Sequence, residues 1–171
     1  MNSSKGENDM HGRALIAFFS ASPSRRTEKV AHKLADVIGA ELYEIVPAAA
    51  YSKDDLNWND RKSRSSIEMN DPNSRPEIAG ELPDLSAYDT IFVGFPIWWY
   101  VAPHIINTFL EHYDLTGKTV VPFATSGGSP MGQTTAHLRP SAKGAQMKEG
   151  RRFEMGETPM AINSWIAALG I

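Results

Sequence analysis

The chain has 171 residues, enough for one ordinary domain with a full core and too few to call for a second. Its 17 basic and 20 acidic side chains leave a net charge of −3 with no long basic run, which argues against a nucleic-acid binder. Cysteine is absent, so disulfides, thiolate metal sites and a cysteine nucleophile are excluded, and the chain suits a reducing compartment.

The first dozen residues are polar and carry no apolar core of a leader, and nowhere do about 18 apolar residues run together. The expectation is a cytoplasmic protein without membrane insertion. Residues 1–12 should form a disordered extension, and 13–171 a single domain.

Ala14 to Phe19 is apolar and reads as a buried strand. Ser20 to Thr27 follows as a hydroxyl-rich loop, and then a helix with Val30, Ala31, Leu34, Ala35 and Ile38 on one face and Gly39 at its end. Four hydroxyls, from Ser20, Ser22, Ser24 and Thr27, together with Arg25 and Arg26, stand at the positive end of that helix, where unpaired N–H groups favour an anion. Capping by Ser24 or Thr27 needs only one of them.

Glu41 to Val46 alternates apolar and polar residues, as an edge strand does, and Pro47 closes it. The stretch Tyr51 to Pro76 is dense in charges and amides. Leu56, Trp58, Ile67 and Met69 are its expected anchors, with two short helices between them; so long a connection in a small domain is commonly functional or disordered.

Thr90 to Pro103 organises the chain. Ile91 to Phe95 suits a strand covered on both faces, and Pro96 should end it because a central strand cannot spare the N–H. Ile97, Trp98, Trp99 and Tyr100 then lie beyond its carboxyl end, where open α/β sheets bind ligands. Plugging the core is the plain reading of such aromatics, and stacking on a flat ring the functional one. Pro103 opens a helix with Ile105, Ile106, Phe109, Leu110 and Tyr113 on one face.

Gly117-Lys118 turns into a fourth strand, Thr119 to Ala124, weakened by Pro122. The loop Thr125, Ser126, Gly127, Gly128, Ser129 is made of small residues that let backbone approach a ligand. Gln133 to Leu138 reads as a short helix stopped by Pro140, and Ala145 to Phe153 as a weak fifth strand. A last helix has Thr158 as cap, Pro159 at its first position, Ile162, Trp165, Ile166 and Leu169 inward, and Gly170 as stop.

Strands alternating with helices call for an α/β fold with a parallel sheet, helices on both faces and right-handed crossovers. In the order 2-1-3-4-5 the loops after strands one, three and four meet at the switch point. Hydroxyls for a phosphate, aromatics for a ring and glycines for backbone contact describe a mononucleotide site.

With Ala-Phe-Phe-Ser-Ala-Ser at the first loop, Asn-Asp-Pro-Asn-Ser-Arg-Pro in the long segment, Gly-Phe-Pro-Ile-Trp-Trp at the third strand and Phe-Ala-Thr-Ser-Gly-Gly-Ser at the fourth, the chain resembles the flavodoxin family from Ala14 to Ile171. The resemblance implies a flavodoxin-like three-layer sandwich with a five-stranded parallel sheet of order 2-1-3-4-5. It also implies non-covalent FMN, its phosphate in the first loop (Ser20, Ser22, Ser24, Arg25, Arg26, Thr27). The ring would lie between Pro96, Ile97, Trp98, Trp99, Tyr100 and the Thr125, Ser126, Gly127, Gly128, Ser129 loop. One departure is Pro23, which stands where relatives commonly have glycine and removes a donor; Arg25 and Arg26 are expected to compensate.

The expected function is electron transfer on FMN, as an NAD(P)H-dependent oxidoreductase acting on quinones or similar small acceptors. No catalytic side chain and no metal is required. The alternative within this reading is a carrier between redox proteins, and a homodimer is left open. From other classes come a serine hydrolase using Ser126 or Ser129, which lacks a Gly-x-Ser-x-Gly elbow, and a flavin-free scaffold for a protein partner. His104 and His112, eight apart on a helix, complete no metal pattern.

Overall fold

The computed structural model describes residues 13–126, 128–154 and 156–171. The expected disordered extension over 1–12 lies outside the described residues, as does Gly127.

The elements run β1 (Ala14–Phe18), α1 (Arg26–Ile38), β2 (Glu41–Glu44), α2 (Arg64–Asn70), β3 (Thr90–Pro96), α3 (His104–Glu111), β4 (Thr119–Thr125), α4 (Thr134–Leu138), β5 (Gln146–Met147), β6 (Arg151–Phe153) and α5 (Pro159–Leu169). The sheet is parallel throughout, in the order β2-β1-β3-β4-β5, with β6 also on β4. This is the expected α/β sandwich, with one strand more than expected.

The pleat of the central strands sorts the core. Leu15, Ala17, Ile91, Val93 and Phe95 pack against Ile105, Ile106, Phe109 and Leu110 of α3, while Ile16, Phe18, Phe92, Val121 and Phe123 pack against α1 and α5. Gly94 is the small residue in β3. A Cβ there would stand 2.2 Å from the Phe123 ring, so the glycine makes room for the aromatic paired beside it.

Two prolines sit inside strands, and backbone geometry explains both. Pro96 ends β3 as expected, but as the strand's own last residue, in register with Thr125, rather than as the first residue beyond it. Ile97 N–H donates to Thr125 O (2.9 Å), so the neighbouring residue 96 faces the opposite side, toward β1. There β1 ends at Phe18, and Phe19 beyond it donates its N–H to Gly94 O (2.9 Å), so the bond that Pro96 cannot donate lies past the end of that strand.

Pro122, one position off the residues that face β3, turns its nitrogen toward the fifth strand. The register steps from Val120 with Met147 to Phe123 with Arg151, one extra residue opposite the proline. Thus the fifth strand expected over 145–153 is split by a bulge into β5 and β6.

The long segment leaves and returns through one antiparallel bridge, Pro47 with Ile78, where Ala48 N–H donates to Glu77 O (2.8 Å) and Ala79 N–H to Val46 O (2.7 Å). It holds one helix, α2, rather than two; the remainder is turns. Two of its four expected apolar anchors do not hold it, Trp58 and Ile67 being exposed, while Leu56 and Met69 are half-buried. Buried hydroxyls hold it as well: Ser63 caps α2 by accepting from Ser66 N–H, and Ser66 Oγ donates to Asp60 O (2.8 Å). At the other end of the chain, the short helix runs past Leu138 as a 3-10 turn through Pro140 instead of stopping before it.

Candidate functional site

The loops after β1, β3 and β4 share the carboxyl edge of the sheet. Thr27 Oγ and Thr125 Oγ meet at 2.8 Å, both buried, and tie the start of α1 to the end of β4. The Thr27 hydroxyl is therefore spent inside. Neither Ser24 nor Thr27 caps α1. Its N-cap is Arg25, in a left-handed conformation (φ 54°), and Ser20 Oγ accepts the Glu28 N–H from outside the helix (3.3 Å). The N–H groups of Arg26 and Thr27, in the first turn, have no partner within the helix.

Arg25 is committed to its own loop. Its guanidinium donates to Glu28 (3.0 Å), to Ser20 O (2.8 Å) and to Glu44 on β2 (2.5 Å). Glu28, then Glu44, raises its pKa further above the ordinary arginine value. Arg26 enters none of the ion pairs among the described residues. Ser22 and Ser24 share one hydrogen bond (3.1 Å) in the open part of the loop, and Pro23 is exposed between them.

After β3 the chain makes a two-residue hairpin. Trp98 and Val101 exchange both backbone bonds (3.0 and 3.1 Å), and the residues between them, Trp99 (φ 49°) and Tyr100 (φ 68°), are left-handed. That is the geometry of a type I′ turn, whose usual occupants are Asn and Gly. Two large aromatics held there, 43% and 63% exposed, are strained where strain marks function. Trp98 does the opposite. It packs edge-on against Phe19 (5.7 Å) and Tyr51 (5.5 Å), and so plugs the core.

In the loop after β4, Ser126 Oγ donates to Ser129 O (2.6 Å) and accepts from Gly128 N–H (3.3 Å). A hydroxyl turned back on its own loop is not positioned as a nucleophile. Among the described residues no cluster of His, Asp and Glu could hold a metal.

The long segment supplies what sequence reasoning missed. Tyr51 lies on Phe19 (5.7 Å), under the Arg64 guanidinium (3.8 Å from the ring centre), and donates to Glu68 (2.5 Å). Burial and the Glu68 carboxylate raise the phenol's pKa, so it remains a donor. Thus pinned, the segment faces the first loop across a hollow of about 840 Å³ lined by Ser22, Pro23, Arg25, Tyr51, Asn57 and Trp58 among others. A second, of about 510 Å³, lies between the segment and Trp99. Among the described residues, none of the loop after β4 lines either hollow.

With this geometry, the similarities to known proteins fall into place. The family model described as flavodoxin matches residues 13–169, and the chain belongs to the flavodoxin family. It is 44% identical to a candidate flavoprotein of Bacteroides eggerthii, with a TM-score of 0.88 over 94% of this chain and 99% of that one. A candidate flavoprotein of Bacteroides uniformis is 43% identical, with a TM-score of 0.84 over 92% and 99% of the two chains. A Lactobacillus acidophilus flavoprotein solved in complex with FMN shares the fold at 23% identity and a TM-score of 0.72, over 94% and 99%. No curated protein matches the chain. Among the described residues no helix is long and apolar enough to cross a membrane.

Proposed function

We propose that the chain binds FMN at the carboxyl edge of β1, β3 and β4 and acts as an NAD(P)H-dependent oxidoreductase on quinones or similar small acceptors. One observation carries the FMN reading. A strained, exposed aromatic pair, Trp99–Tyr100, stands on the same sheet edge as a helix start with open N–H groups. The first suits a flat ring, and the second a phosphate.

The residues present fit the group. The open N–H groups of Arg26 and Thr27, the hydroxyls of Ser22 and Ser24 and the Arg26 side chain would take the phosphate. Ser20, Thr27 and Arg25 shape and brace that cradle. Trp99 and Tyr100 would flank the ring on one side, with Pro96 and Ile97 at its base. The Thr125, Ser126, Gly127, Gly128, Ser129 loop would meet its polar edge. When bound, FMN supplies reversible uptake of one or two electrons. The chain's own share is to hold the ring, exclude water and set which charge state is favoured there, since a tenfold preference shifts a one-electron potential by about 59 mV.

The reductase role is favoured over the carrier role by the pinned segment. It walls the site on the β2 side, as a small reactant requires, whereas a carrier needs its ring edge open to a large partner. Calorimetric titration with FMN and FAD tests the cofactor. FMN should bind the more tightly, since a single sandwich has no second half for an adenylate. Tighter FAD binding would overturn the site as drawn. Consumption of NAD(P)H with a soluble quinone tests the reaction.

A further inference from the structure

The hollow of about 510 Å³ is lined by Trp58, Asn59, Arg61, Ser66, Asn70 and Trp99, and lies within the usual size range of small-molecule sites. We propose that it is the co-substrate site and takes a flat aromatic anion. The role of co-substrate rests on the flavoprotein reading above, whereas the ligand class rests on the lining alone.

Two tryptophans from distant parts of the chain border one space, and both are exposed: Trp58 at 71% and Trp99 at 43%. Neither is consumed by the core. Trp58 contributes to no core cluster, and Trp99 is held out by its left-handed backbone. Paired apolar rings open to water mark a contact surface, and a planar guest would cover both.

The remaining lining is one-sided in charge. Among the described residues Arg61 is the only ionised one in the lining, and it enters no ion pair. The amides of Asn59 and Asn70 add donors. Ser66 is already spent on Asp60 O (2.8 Å). The nearby Asp60 carboxylate accepts the Lys62 N–H (2.9 Å), and Asn59 N–H donates to Asn57 Oδ1 (3.1 Å), so local turns fix the Trp58–Arg61 stretch. With a free guanidinium, two amides and no carboxylate in the lining, the hollow prefers an anionic or carbonyl edge over a cation. The larger hollow is balanced: Lys53 and Asp54 both line it, and Arg25 is already paired with two carboxylates.

Anthraquinone-2-sulfonate is the probe, titrated into the purified chain with tryptophan fluorescence and calorimetry as readouts. Saturable one-to-one binding is expected. Trp58→Ala should weaken it by about tenfold or more, by analogy with base stacking. Arg61→Gln should weaken the sulfonate by about fivefold and leave uncharged 2-(hydroxymethyl)anthraquinone unchanged. Both side chains are exposed, so the variants should fold, which circular dichroism checks. FMN affinity should remain at the wild-type value in both. The proposal is overturned if the probe does not bind or binds both variants like wild type. It also falls if Trp58→Ala loses FMN and the probe competes with FMN, which would make the hollow part of the flavin site. Probe binding with the expected dependences but no FMN binding would remove the flavoprotein reading and leave the ligand class standing.

Discussion

Trp99 and Tyr100 occupy backbone positions that ordinarily belong to glycine or asparagine, so their side chains must repay the strain in another way. Tyr100→Gly should raise unfolding stability by about 1 kcal/mol while weakening FMN binding, which chemical denaturation and titration measure separately. Trp99→Ala should weaken FMN by about 1–3 kcal/mol if a flavin ring stacks as a base does. Loss of stability with unchanged affinity would make both residues plugs. The two arginines of the first loop divide in the same spirit. Arg25→Ala removes contacts to Glu28, Glu44 and Ser20 and should cost about 1 kcal/mol of stability, these pairs being partly exposed. Arg26→Ala should leave stability alone and reduce affinity for FMN more than for riboflavin. Equal losses for the two ligands would show that Arg26 does not meet the phosphate.

Among the elements, α3 and the end of the long segment meet around a buried histidine. Ser74 Oγ donates to Glu68 O (2.7 Å), so it can only accept from His104 Nδ1–H (2.6 Å), which sets the neutral tautomer. His104 also stacks on His137 of α4, ring centres 5.9 Å apart. Burial, then His137 and Arg75, hold the pKa of His104 below its ordinary 6.5, with Glu68 opposing; burial and Arg75 do the same for His137. The fold thus prefers both rings neutral. Above pH 6.5 the unfolded chain is neutral too and nothing is lost. As pH falls through that value, the unfolded chain takes up protons first and stability drops, until the folded pKa values are passed. The melting temperature should therefore fall between pH 7 and pH 5.5, and His137→Gln should flatten that slope. Glu111, held below the ordinary carboxylate range by Arg75, titrates at lower pH and does not share this window.

At the scale of the molecule, the long segment is a closed excursion: its base is bridged at Pro47 and Ile78, so excision would leave the sheet connected. Replacing residues 52–73 by a short Gly-Ser linker retains Tyr51 on Phe19 and Trp98. FMN should stay bound, while turnover of NAD(P)H and quinone falls sharply as the wall is lost. Unchanged steady-state rates with full FMN content would favour the carrier role instead.

The apolar runs at Ala14–Phe18 and Ile91–Phe95, the helical spacing of Val30 to Ile38, and the loops at Ser20, Pro96 and Thr125 were all legible in the sequence, because strand burial and helix periodicity are local patterns. So was the order of the parallel sheet, once the resemblance was recognised. Which tryptophan would plug and which would face water was not legible. That depended on Tyr51 and Phe19 reaching Trp98 across the fold and on a turn geometry that Trp99-Tyr100 does not advertise. The division of the fifth strand likewise came from Pro122 on its neighbour, and the commitment of Arg25 from Glu44 on β2. Each is a pairing between residues far apart in the chain. Local periodicity therefore determined the elements, and only the tertiary contacts decided which polar and aromatic side chains were left free to bind.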